Sequence, residues 1–215
     1  MGPFLGRAVR RTPRSTPDGN IGGRQKRMAR TQYLALLRGI NVGGNNMISM
    51  PDLKRCFETS KFENVATFIQ SGNVVFEAAR GDDGKLIKKL ESVLSKTFTP
   101  YQARIVLCSH AKLSHIVRKA PKGFGSQPEK YRYDVIYLKS PLTASEAIKS
   151  LRPKEGVDEA FAGPDVLYCT RLTARAAQSN LTRLVSLPIY QSLTIRNWNT
   201  TTKLLALMDT RAQRS

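Results

Sequence analysis

A β-rich run, a helix-period stretch, a hairpin, a second helix-period stretch and another β-rich run follow one another between Tyr33 and Ser109. That order constrains the fold more than any other feature of the chain. Tyr33–Arg38 reads as a buried strand. Ser49-Met50-Pro51-Asp52 is a variant of the capping box, with proline where a missing N–H costs nothing. The helix it opens is expected to reach about Ser60 and to bury Leu53, Cys56 and Phe57. VATFIQ and VVFEA flank Ser71-Gly72-Asn73, two β-rich runs around a short turn and hence a hairpin. Leu86, Leu90, Val93 and Leu94 recur at helical spacing within 85–98, and QARIVLCS follows as a strand. The order is βαββαβ, the ferredoxin-like split unit, whose crossovers are expected to be right-handed.

The second half repeats the order. A connecting helix is expected over 110–119 and a polar Pro/Gly/Lys loop over 120–130. YDVIYL reads as a strand, and Thr143–Glu146 as a capping box for a helix ending near Leu151. DEAFA and VLYCT flank Gly163-Pro164-Asp165 as a second hairpin. A helix around 177–186, the strand QSLTIR and a last helix from about Thr200 to Met208 complete the pattern. The expected fold class is therefore α+β, two tandem ferredoxin-like βαββαβ subdomains with a C-terminal helix. The divisions fall at 31–108 and 109–210.

Charge bears on partners. Residues 1–30 hold eight Arg and Lys against Asp18 alone, a net +7 out of +19, which leaves the remainder basic in its own right. A basic surface favours polyanions and acidic ligands. The first 27 residues have no apolar core of a secretory signal. They read as a disordered tail or an upstream-start extension before Met28, with a transit peptide or a nucleic-acid-binding arm as alternatives. No apolar run approaches the 18 or so residues of a membrane span. The three cysteines, Cys56, Cys108 and Cys169, are far apart and show no metal spacing, which fits a reduced, cytoplasmic setting. His110 and His115 diverge by about 140° on a helix and make a poor zinc pair. No metal and no cofactor is expected.

Three polar clusters are candidates for function. The first is Arg38-Gly-Ile-Asn41, with Gly43, Gly44 and Asn45 behind it. Gly39 and Gly44 have P-loop spacing, but Asn45 and Asn46 stand where lysine and a hydroxyl belong, so this is no Walker motif. Such a loop permits either an anion nest ahead of a helix N-terminus or a tight turn with asparagines bonded to their own backbone. The second cluster is Gln70, Ser71 and Asn73, whose amides suit neutral polar ligands. The third is Arg196, Asn197, Trp198 and Asn199, which echoes the Arg-x-x-Asn of the first and adds a stacking platform. None contains a carboxylate or histidine, which argues against hydrolysis by protein groups alone.

YLALLRGINVGGNNMISMPDL, TFIQSGNVVFE and RNWNTTTKL together resemble the domain-of-unknown-function 1697 family of small, mostly bacterial proteins, over about residues 31–208. The resemblance implies a soluble α+β fold with two similar ferredoxin-like subdomains, and no established activity, substrate or catalytic residue. Members often carry Ser-Lys-Leu-Thr-Asn at the start of the last large helix, where this chain has Ser179-Asn180-Leu181-Thr182-Arg183. The leading expectation is a binding module in which the three loops converge on a phosphate-bearing ligand, a nucleotide or a nucleic acid. The alternatives are a small transferase-like enzyme on a nucleotide-like substrate, and a structural or partner-binding protein whose polar loops only cap strands.

Overall fold

The computed structural model describes residues 1–2 and 30–213. The basic segment discussed above lies almost wholly outside the described residues. In the first half, β1 (Arg30–Leu37), α1 (Met50–Thr59), β2 (Glu63–Phe68), β3 (Asn73–Ala79), α2 (Asp83–Thr97) and β4 (Ile105–Ser109) follow in order. Their antiparallel sheet has the order β2-β3-β1-β4. α3 (His110–Arg118) leads across to β5 (Tyr131–Leu138), α4 (Ala144–Leu151), β6 (Asp158–Gly163), β7 (Val166–Leu172) and β8 (Leu193–Asn197). The second sheet repeats the arrangement as β6-β7-β5-β8. α5 (Trp198–Ala212) closes the fold. Two ferredoxin-like units therefore stand in tandem.

The capping residues act as their types predict. Ser49 Oγ accepts from Asp52 N at 3.1 Å, and Thr143 and Glu146 form a full capping box. One element differs. The stretch expected as a helix around 177–186 is instead part of three 3₁₀ segments, Thr173–Gln178, Asn180–Ser186 and Pro188–Ser192. The buried Asp158 carboxylate accepts from Ser179 Oγ (2.6 Å) and Asn180 N (2.8 Å), which fixes a new start at that point. Leu187, held extended before Pro188, ends the next turn.

Period-2 alternation sorts the core. Tyr33, Ala35 and Leu37 of β1 pack with Leu53 and Phe57 of α1 and Leu90 and Leu94 of α2. Leu34 and Leu36 face the other way, into a middle layer shared with Leu113 and Ile116 of α3, Leu204 and Met208 of α5, and Val135, Tyr137 and Tyr168 of the second sheet. The far face of that sheet packs Ile136, Leu138 and Leu167 on Ala147 and Leu151 of α4 and on Leu184. α3 and α5 thus lie between the sheets, and both sheets are covered on both faces. Inside this layer Tyr168 Oη donates to Ile116 O at 2.6 Å, and Tyr137 Oη to Thr201 Oγ1 at 3.1 Å. At its edge Lys139 Nζ reaches Glu91 Oε1 (2.7 Å) and Ile105 O (3.2 Å). All three cysteines are buried and unpaired. Among the described residues no helix is long and apolar enough to cross a membrane, and no group of three or more His, Cys, Asp or Glu is placed to hold a metal ion.

Candidate functional site

The glycine loop after β1 is closed on itself. Asn41 and Asn46 both take left-handed backbone, φ 53° and 48°. Asn41 Nδ2 donates to Ile48 O (2.9 Å) and Gln70 O (2.8 Å), and its Oδ1 accepts from Ile48 N (2.8 Å). Asn46 Nδ2 donates to Gly39 O at 2.8 Å. Asn45 N bonds Val42 O in the tight turn that carries Gly43 and Gly44, all three exposed at the tip. The loop is thereby tied to the β2–β3 turn through Gln70, whose backbone carbonyl makes the link.

The arginines are bound to the protein. Arg196 is 8% exposed, and burial pulls its guanidinium down to about 10, still charged at neutral pH. Its Nε donates to Asn73 Oδ1 (2.6 Å), its Nη1 to Ile195 O (2.8 Å), and its Nη2 to Leu37 O (2.8 Å) and Ser71 O (2.6 Å). Asn73 completes the turn by donating to Phe68 O (2.9 Å) and Ser71 Oγ (3.0 Å). Arg38, at the end of the opposite sheet's central strand, donates from Nε to Tyr190 O at 3.1 Å and lies 4.5 Å over the Tyr190 ring. The Arg-x-x-Asn echo therefore has a physical meaning: each arginine crosses to the other half. Arg38, Asn41, Gln70, Ser71, Asn73 and Arg196 do come together, with Arg196, Asn41, Asn73 and the Nε of Arg38 engaged by acceptors of the protein itself.

Asn197, Trp198 and Asn199 face elsewhere. Asn197 caps α5, its Oδ1 accepting from Thr200 N at 2.7 Å. Trp198 and Asn199 open that helix and, with Asn197, line a cavity of about 580 Å³. Its other walls are Tyr131, Arg132 and Tyr133 of β5, Gly125 and Pro128 of the preceding loop, Thr173 and Thr202. Phe124 anchors the loop, edge-on to Trp198 (5.1 Å), Tyr133 (5.0 Å) and Tyr168 (5.5 Å). Gly125 (φ +87°) lies flush on the indole: a Cβ there would stand 2.2 Å from Trp198 Cδ1. Arg132, with 57% of its side chain exposed, uses Nε on Asp134 (2.9 and 3.2 Å), and the Lys130 ammonium sits 5.1 Å from the Tyr131 ring centre. No carboxylate, histidine or cysteine lines the cavity. It offers aromatic faces, amides, hydroxyls and a cation.

Tyr131, Arg132, Tyr133 and Gly125 are absent from the candidates read off the sequence. A signal existed: two tyrosines at i and i+2 on a strand must share a face, and they lie beside a loop rich in glycine and lysine.

A family model described as "Protein of unknown function (DUF1697)" matches residues 30–168. The conserved bacterial protein SP0830 from Streptococcus pneumoniae, a solved structure, superimposes with a TM-score of 0.72 at 25% identity, over 83% of this chain and 98% of that one. No curated protein matches.

Proposed function

We propose, from the premise that the chain belongs to the DUF1697 family of proteins of unknown function, that it is a binding module for a planar, phosphate-bearing ligand of the nucleotide class, seated in the cavity at the start of α5. The observation that carries this reading is the placing of Trp198, Tyr131 and Tyr133 in one cavity of about 580 Å³ with an exposed arginine at its edge. An aromatic wall stacks a base for about 1–3 kcal/mol. The Asn199 amide is suited to a base edge. Arg132 and Lys130 suit a phosphate, and the N-terminus of α5 favours the same sign of charge. On this reading the ligand sits by the third of the three loops, the one that carries Trp198, and its phosphate stands in the second half.

Trp198 is the chain's single tryptophan, so its fluorescence reports this cavity directly. Titration with nucleoside monophosphates and short oligonucleotides at low salt is expected to quench it saturably, with weaker binding in Tyr131→Ala and Arg132→Ala. No change from either ligand class refutes the reading. A second reading, a protein-docking face, is supported by Val42, Met47 and Ile69, which stand 64%, 74% and 49% exposed in the glycine loop and the adjoining β2–β3 turn.

A further inference from the structure

We infer that the cavity takes one residue of a single-stranded nucleic acid, whose backbone continues over the basic surface of the second half. This rests on the aromatic-cavity reading above and narrows it from any nucleotide to a polymer.

Two observations select the polymer. The first is where the cations stand. A free nucleotide ends in a doubly charged phosphate, and selective capture of that group calls for donors held in a desolvated, preformed cradle. Among the described residues the one buried guanidinium, Arg196, is engaged by Asn73, Leu37 and Ser71. Arg132, in the cavity wall, and Lys130, over the Tyr131 ring, are exposed. Exposed lysines and arginines attract a backbone through counterion release and need no fixed geometry. The base is then held by stacking, and the phosphates by a diffuse field.

The second observation is how charge is divided between two units of the same topology. Residues 30–109 carry 11 Arg and Lys against 7 acids, a net +4. Residues 110–215 carry 17 against 8, a net +9. The cavity belongs to the more basic unit. Lys122 and Lys130 lie on the loop that supplies Gly125 and Pro128, and Arg171 is the register partner of Arg132 on β7. The loop cations and Arg132 border the cavity, while Arg171 extends the positive charge along the sheet face opposite Tyr131 and Tyr133.

The full chain is titrated with uridine and thymidine monophosphates, with single strands of about eight nucleotides, inside the ~4–16 range of such sites, and with a duplex of the same length. Binding is read twice, by Trp198 quenching and by anisotropy of the labelled nucleic acid. The single strand is expected to bind at least about 100-fold tighter than either mononucleotide. With about five phosphates engaged the log–log salt slope is about −3.5, so affinity falls roughly 100-fold between about 50 and 200 mM salt. Lys130→Ala is expected to make that slope shallower by about 0.7, and Tyr131→Ala to weaken binding without changing it. Mononucleotides that quench Trp198 as tightly as the single strand, with little salt dependence, overturn the polymer and leave the nucleotide cavity standing. A duplex that binds as well as the single strand also overturns it. So does anisotropy binding without Trp198 quenching, which would place the nucleic acid elsewhere on the chain. A silent Trp198 with no anisotropy change overturns both readings.

Discussion

Arg196→Ala is the substitution that most directly tests how the two halves are joined. It removes Nε from Asn73 Oδ1 and Nη2 from Leu37 O and Ser71 O, three acceptors beside a group only 8% exposed. Asn73 itself is fully buried. An orphaned buried acceptor costs about 1–3 kcal/mol, so the three together come to about 3–6 kcal/mol at the low to middle of that range. Losing the buried charge refunds part of this, because the guanidinium no longer has to be desolvated. The net expectation is a loss of about 2–4 kcal/mol. For a chain of this size each kcal/mol moves the melting temperature by about 2–4 °C, which gives a fall of about 4–16 °C. Arg196→Lys keeps the charge but has no planar fork to span Asn73 and the two carbonyls, so it is expected to fall in the same direction by less. Urea unfolding followed through Trp198, two residues along, measures the loss. A cycle with Asn73→Ala is expected to show about 1–3 kcal/mol of coupling. A melting temperature within about 2 °C of wild type, or strict additivity in the cycle, would refute the clamp.

Gly125→Ala is expected to displace the indole it packs on, since the added methyl would stand 2.2 Å from Trp198 Cδ1; a shifted emission maximum with lost ligand quenching checks it, and unchanged emission counts against the packing. Glu91→Ala leaves Ile105 N and the half-buried Lys139 ammonium without their shared acceptor, and calorimetry is expected to show a loss of about 2–3 kcal/mol. Burial pushes Cys108, Cys169, Tyr101 and Tyr168 up to about 12. The folded chain therefore keeps protons that the unfolded one releases from about pH 8.5 upward, so these groups' contribution is complete below that pH and is lost as pH rises toward 12. Arg196, moved down to about 10, acts in the opposite sense above pH 10. Melting temperatures are expected to stay level from about pH 7 to 8.5 and to fall above pH 9; a flat profile to pH 11 would contradict the assignment. The same burial is expected to keep all three thiols silent to disulfide reagents until the chain unfolds, and prompt native labelling would show otherwise.

The central strands are the most legible, because they are covered on both faces. YLALL buries Tyr33 through Leu37 without interruption, so the apolar run itself marks the element, and Gly72 and Asp165 mark the turns. The stretch around 177–186 misleads because its apolar spacing is helical while Ser179 and Asn180 are caught by Asp158, more than 20 residues upstream. No local pattern reports that capture. The glycine loop was legible as a loop and not as a site or a turn, since an asparagine amide looks the same whether it faces a ligand or Gly39 O. Arg196 depends on carbonyls more than 120 residues away, so its structural use was out of reach of spacing arguments. Tyr131 and Tyr133 were within reach: beginning the strand at Tyr133 leaves Tyr131 outside it and conceals that the two share a face.

α5 occupies the layer between the sheets, yet it follows in chain order every element it packs against. A chain emerging N-terminus first makes both sheets before the 15-residue helix that covers their inner faces. Until then Leu34, Val106, Val135 and Tyr137 lack part of their cover. The first sheet therefore waits with its inner face half-clad until the second half is made, and a released chain cut short before Leu204 would keep that sticky face open to holding chaperones.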